Sequence, residues 1–238
     1  MGAIIKAGGE NVASPELVFL QLASKLDIHR LILLGMQLCS YPPGEPYLAI
    51  TTKQKLKIFT KKTRGYCGRR KASRALKYIE NGSASIMESL AYMILSLPIA
   101  LGGYGLKGIT LNHEIKLSGE GVNRLGQNRC FIDLYYRSEK IAVEYESYAF
   151  HGSPYEQGRD MIRATILGRQ GISVMTLSTI QLYDRDACKD FALNLASRLE
   201  KRVQIRSKKF NQMHDSIRAL LPRGNTAEGV SADRNLFI

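Results

Sequence analysis

The sequence has no tryptophan and only four histidines and four cysteines in 238 residues. The cysteines, Cys39, Cys67, Cys130 and Cys188, stand far apart, with no C-x-x-C pair and no histidine at finger spacing. That argues against a structural zinc site and fits buried free thiols in a reduced, cytoplasmic protein. No apolar run approaches the roughly 18–20 residues that a bilayer crossing requires, and the basic helices lack aromatic or bulky apolar faces large enough for insertion, so no membrane partner is expected. Residues 1–13 hold one lysine and no apolar h-region, so no secretory signal is expected either. Negative charge is also scarce: 21 Asp+Glu face 34 Lys+Arg, a net charge of +13. A basic excess of that size favours a polyanionic partner. Apolar residues make up 45% of the chain, enough for a real core.

The charge is segregated. Residues 1–82 hold 14 basic and 5 acidic residues, residues 83–197 hold 11 and 12, and residues 198–238 hold 9 and 4. From Lys53 to Lys77 there are eleven positive charges and no negative one. A short charge run is ordinarily a solvated face. Eleven uncompensated cations favour phosphate contact.

Ser14-Pro15-Glu16 is a helix start, with a capping serine, proline at the first helical position and an acid in the first turn. Asp27 is placed to cap a second helix, and Thr52 a third that runs to Lys62. Lys53, Lys57 and Lys61 then share one stripe, and Gly65 to Gly68 breaks the helix. Arg69 to Glu80 reads as another helix, with Arg70 and Arg74 outward. Two short basic helices across a turn resemble a DNA-binding helical module. Residues 1–12 are glycine-rich and expected to be loose, and Asn81-Gly82 closes this first domain, 1–82.

A helix is expected from Ile86 to Leu97, ended by Pro98. Strands follow at 109–117, 130–136 and 141–146, with 118–128 as a polar hairpin loop. His113 falls on the apolar face of the first strand. Pro154 to Arg169 is a helix, Ile172 to Leu177 a fourth strand, and 180–201 a long helix interrupted near Asp184. The order predicts a mixed α/β domain over 83–203, the fourth strand arriving by a helical crossover. A basic extension, 204–238, carries a further helix and ends in a disordered tail.

Inside these strands lie carboxylates. Asp133 sits in Cys130-Phe-Ile-Asp133-Leu, and Glu144 and Glu146 share one face of Ile141-Ala-Val-Glu144-Tyr-Glu146. Like charges so close repel, and a cation offsets the cost. Oxygen ligands of this kind suit Mg²⁺ or Mn²⁺. The bland alternative is a hairpin with one solvated, acidic face. Glu88 is a fourth acid, although Ser85-x-x-Glu88 also reads as a capping box. His151 follows the third strand, close enough in sequence to orient water or donate a proton.

The series Ser85-x-x-Glu88, Asp133, Glu144-Tyr-Glu146, His151 and Asp160-x-x-Arg163 resembles restriction-endonuclease-like nucleases of the PD-(D/E)xK superfamily, in particular the very-short-patch-repair (Vsr)-like branch. The likeness covers about residues 83–200. Residues 14–82 are similar, more weakly, to the helical domain of abortive-infection-type antitoxins. The resemblance implies a restriction-endonuclease-like core, a central mixed four-stranded sheet flanked by helices, preceded by a small basic helical domain. It implies a metal-dependent endonuclease that hydrolyses DNA, in bacterial defence or mobile-element biology. Asp133 and Glu144 would hold Mg²⁺ or Mn²⁺, with Glu88 bound directly or through water and with Glu146 and His151 at the site. Lys53, Lys57, Lys61, Lys62, Arg64, Arg69, Arg70 and Arg74 would grip the DNA backbone. A homodimer or a defence-system partner stays open.

One position departs from the pattern: Glu146 stands where the superfamily carries its lysine. Lys116 and His151 are candidates for the missing role. The departure keeps an alternative alive, a DNA-binding regulator or antitoxin built on an inactive nuclease fold. Arg163, one turn from Asp160, can pair with it locally or touch phosphate, and the local pair is the expectation.

Overall fold

The computed structural model describes residues 2–117, 119–146, 154–206 and 208–222. The first residues do not form the loose start expected of them. Ile4–Ala7 (β1) and Glu10–Ala13 (β2) pair as an antiparallel hairpin. Gly8 and Gly9 both take positive φ, the requirement of a tight two-residue hairpin turn. Ser14 then caps Pro15–Lys25 (α1), accepting the Leu17 N–H at 3.2 Å. Asp27 caps Ile28–Leu38 (α2) by accepting from His29 and Arg30, and Thr52 caps Lys53–Lys62 (α3). The next helix, Arg69–Ala75 (α4), stops well before Glu80. Its chain tightens there, with Lys77 bonding to Arg74 and Tyr78 to Ala75 in three-residue turns. α1 packs against α3 and α4, and α2 against α4.

Ile86–Ser96 (α5) is buried from Met87 to Ser96 on every face, as an apolar helix through the middle of a domain must be. It lies against a mixed four-stranded sheet: Ile109–Lys116 (β3), Arg129–Tyr136 (β4), Ile141–Glu146 (β5) and Ser173–Ser178 (β6), in that order. β4 pairs antiparallel with both β3 and β5. β6 is parallel to β5 and is reached through the crossover helix Pro154–Arg169 (α7). The fold class is therefore α/β, a mixed sheet flanked by helices. The 118–128 connection is not a plain loop. Glu120–Leu125 (α6) forms within it because Leu125 can bury beside Leu117 and Cys130.

Thr179–Tyr183 (α8) and Arg185–Arg198 (α9) are separated at Asp184, whose side chain caps α9 by accepting the Ala187 N–H at 2.7 Å. Lys208–Arg218 (α10) packs on α5 and on the turn at 99–101, burying Phe210, His214 and Ile217. The His214 ring is held against the Gly102 carbonyl at 2.7 Å. The expected disordered tail lies outside the described residues. Cys39, Cys130 and Cys188 are buried free thiols as expected, whereas Cys67 is exposed. Among the described residues no helix is long and apolar enough to cross a membrane.

The sheet has one irregularity. Ladder partners run from Ile109↔Tyr136 to Lys116↔Arg129, with a gap where Asn112 would face Asp133. Asn112 adopts φ 43°, a left-handed conformation that costs asparagine less than most residues. The inward faces exchange at that point. Ile109, Leu111, Leu134 and Tyr136 belong to the large core with α5. Leu117, Cys130 and Ile132 belong to the smaller core under α7. His113, expected to be packed, is half-buried and stacked on Tyr135, ring centres 5.0 Å apart. The large core is continuous from Phe19 in α1 to Leu221.

Candidate active site

Three carboxylates from three elements meet at this irregularity. Glu88 stands in the first turn of α5, where the Ser85 cap accepts its N–H at 3.1 Å. Only half of the expected capping box forms, because Glu88 Oε2 accepts from Ala84, one residue beyond the cap, at 2.9 Å. The same oxygen accepts the Asn112 amide at 2.6 Å, and that amide also donates to the Gly82 carbonyl at 2.8 Å. The left-handed turn at Asn112 thus aims a side chain at Glu88.

Asp133 and Glu144 lie on the neighbouring strands β4 and β5. The Tyr145 N–H, one residue beyond Glu144, donates to Asp133 Oδ2 at 2.8 Å. Burial, reinforced by the charges of Glu144 and Glu88, pushes the Asp133 carboxyl up to about 8. Burial raises Glu144 too, against the opposing pull of Arg163. That arginine corrects the expectation of a local pair with Asp160. It turns inward from α7, donating to Glu144 Oε1 at 2.8 Å and also to the Phe131 carbonyl. A half-buried guanidinium gains more from a carboxylate short of countercharge than from an exposed neighbour on its own helix. Its Nε is buried with no partner among the described residues.

A cavity of about 620 Å³ gathers these groups: Glu88, Asp133 and Glu144 line it together with Glu146, Asp160 and Arg163. Glu146 is exposed at the rim, while its backbone carbonyl is fixed by the Thr179 hydroxyl at 3.1 Å. Lys116 does not reach this cavity. It lines a separate depression with Glu114 and Arg129. His151 lies outside the described residues.

Among the described residues no three Asp, Glu, His or Cys side chains stand close enough together to enclose a metal ion. A divalent cation of the Mg²⁺ kind does not need three, since one or two carboxylates with waters and substrate phosphate suffice. Asp133 and Glu144 fit that description. They are half-buried, like-charged, mutually destabilising, and each keeps one carboxylate oxygen outside the bonds described.

The eight basic residues expected at DNA divide in two. Lys53 is bound to Glu80 at 2.6 Å, and the Arg69 Nε–H donates to the Thr60 carbonyl at 3.0 Å, so both serve the fold. Lys57, Lys61, Lys62, Arg64, Arg70 and Arg74 are exposed.

Asn112 and the inward reach of Arg163 were the two site features missed in the sequence. An asparagine on the polar phase of a strand looks unremarkable, and a partner 19 residues distant leaves no local signature. Comparison with protein-family models, curated proteins and solved structures returns no match to this chain.

Proposed function

We propose that the chain is a metal-dependent endonuclease of restriction-endonuclease-like fold that hydrolyses phosphodiester bonds in DNA. One observation carries the reading: Glu88, Asp133 and Glu144 converge from α5, β4 and β5 on a single open cavity. Buried like charges are costly, and a fold that gathers them without a cation has only the expense. Asp133 and Glu144 would hold Mg²⁺ or Mn²⁺, and Glu88 would sit nearest, directly or through water. The metal would supply Lewis-acid polarisation of the phosphate and a more acidic bound water. Glu88 is kept in place by the Asn112 amide, Glu144 by Arg163, and Asp133 by the Tyr145 N–H. Arg163, at the cavity wall, supplies the positive charge nearest to a bound phosphate. The exposed cations of α3 and α4 would hold the backbone without reading sequence.

A second reading is a DNA-binding regulator with an inactive nuclease fold. Glu146 at the lysine position and the Arg163–Glu144 ion pair favour it. Incubation of the full chain with plasmid and Mg²⁺ or Mn²⁺, beside Asp133→Ala and Glu144→Ala, separates the two. Cutting by the wild type alone supports the nuclease. A salt-dependent DNA shift with no cutting by any of the three supports the regulator, and neither cutting nor binding removes both.

A further inference from the structure

A second cavity, of about 530 Å³, adjoins the first and shares Asp133, Asp160 and Arg163 with it. The two are arms of one groove with the acids at the junction. Their linings differ in chemistry. The first arm carries Glu88, Glu144 and Glu146. The second adds no acid of its own to the shared pair and carries Arg129, Arg159, Gln127 and Asn128 instead.

Both arginines are partly ordered in advance. The Arg129 guanidinium lies over the Phe131 ring, 5.6 Å from its centre. Its ion pair with Glu114 is long, 3.5 Å, and exposed, so it holds the arginine weakly. The Phe131 ring is itself backed by Gly44, which has φ 84° and where an added Cβ would stand 2.9 Å from the ring tip. Arg159 is tethered by a 3.3 Å bond from Nη2 to the Leu125 carbonyl, and the rest of its fork has no partner among the described residues. A guanidinium fork matches two phosphate oxygens, and fixing it beforehand lowers the entropy lost on binding. Side-chain amides pair a donor with an acceptor, the pattern of a base edge.

We infer that the second arm is a nucleotide subsite: Arg129 and Arg159 take the phosphate next to the scissile one, and Gln127 and Asn128 meet its base. The location rests on the nuclease reading, but the test does not require cleavage. The full chain is titrated in EDTA with a short fluorescent single strand, and the bound strand is then competed with AMP. Arg129→Gln/Arg159→Gln weakens binding roughly tenfold and lowers the slope of log K against log salt by about one to two. Arg129→Lys/Arg159→Lys keeps the slope yet loses affinity, because charge remains and the fork does not. AMP displaces the strand from the wild type and fails to do so at the same concentration from the glutamine variant. Thermal unfolding of each variant separates lost binding from lost folding. The subsite is overturned if both double variants bind the strand as the wild type does while Lys57→Gln/Lys61→Gln binds less. Absence of any strand binding by the wild type at low salt overturns the subsite and the nuclease reading together, whereas plasmid cutting with normal binding by the arm variants overturns the subsite alone.

Discussion

The helices α3 and α4 and the carboxylate cavity treat charge in opposite ways. On the helices and the turn between them, Lys57, Lys61, Lys62, Arg64, Arg70 and Arg74 stand in water, and none makes an ion pair among the described residues. In the cavity, Glu88 is buried, Asp133 and Glu144 are half-buried, and each is held by a named donor. Exposed charge costs the fold little, acts over about a Debye length and is weakened by salt. Buried charge costs much, acts over a few ångströms and needs a partner to persist. A surface that collects a polyanion can use the first kind. A site that polarises a single phosphate needs the second.

The sharpest way to part the two regions is to remove the buried acids. Asp133→Ala or Glu144→Ala should lower plasmid cleavage by roughly 10³-fold or more. Affinity for uncut DNA in EDTA should stay within about threefold, as measured by mobility shift. Loss of both together would mean that the acids support the fold alone. The converse change, Lys57→Glu/Lys61→Glu/Arg70→Glu/Arg74→Glu, should weaken DNA binding by roughly 10²-fold at low salt and reduce the salt slope by about 0.9 per lost contact. The helix content by circular dichroism should not change, since these side chains face water.

A smaller effect is expected at the joint between the regions. Asn112→Asp places a carboxylate against Glu88 and should destabilise the chain by about 1–3 kcal/mol. Thermal unfolding would register this as roughly 2–4 °C per kcal/mol. Asn112→Gly tolerates the positive φ but donates nothing to Glu88, so it should cost less stability than Asn112→Asp while still slowing cleavage.

An effect of comparable size is a dependence on pH. Asp133 titrates near 8 in the fold against 3.8 when free, so between those values the folded chain keeps a proton that the unfolded chain has lost. Its contribution is full below about pH 4 and is lost as pH rises through about 8, at no more than about 1.4 kcal/mol per pH unit. In EDTA, the unfolding midpoint of Asp133→Asn should therefore fall less between pH 6 and 9 than that of the wild type. Mn²⁺ should restore the wild type at the alkaline end and leave the variant unmoved.

Much of the architecture was legible because its signals are local. Ser14, Asp27, Thr52, Ser85 and Asp184 each sit at a helix start and bond to a backbone N–H there. The four strands and the crossover were legible from alternation and order. What escaped depends on partners remote in sequence. Leu125 draws 120–125 into a helix only because Leu117 and Cys130 wait for it. The exchange of faces at Asn112 is invisible to an alternation rule, since both faces of the sheet are apolar there. Asp133 and Glu144 were found because an acid inside a strand needs an explanation, whereas Arg163 had an adequate local partner in Asp160 and gave no reason to look further.

The amide of Asn112 spans from the Gly82 carbonyl, the last residue of the basic block, to Glu88 in the cavity. Gly44 of the same block braces Phe131 at the groove. The apolar core passes the same boundary without a break. Residue 82 is therefore a seam in charge and not in packing. A chain shortened to begin after it would lose one wall of its core and the strut behind its acid. A foreign helical module grafted in front would have to supply a carbonyl and a glycine at the right places before the α/β half could stand.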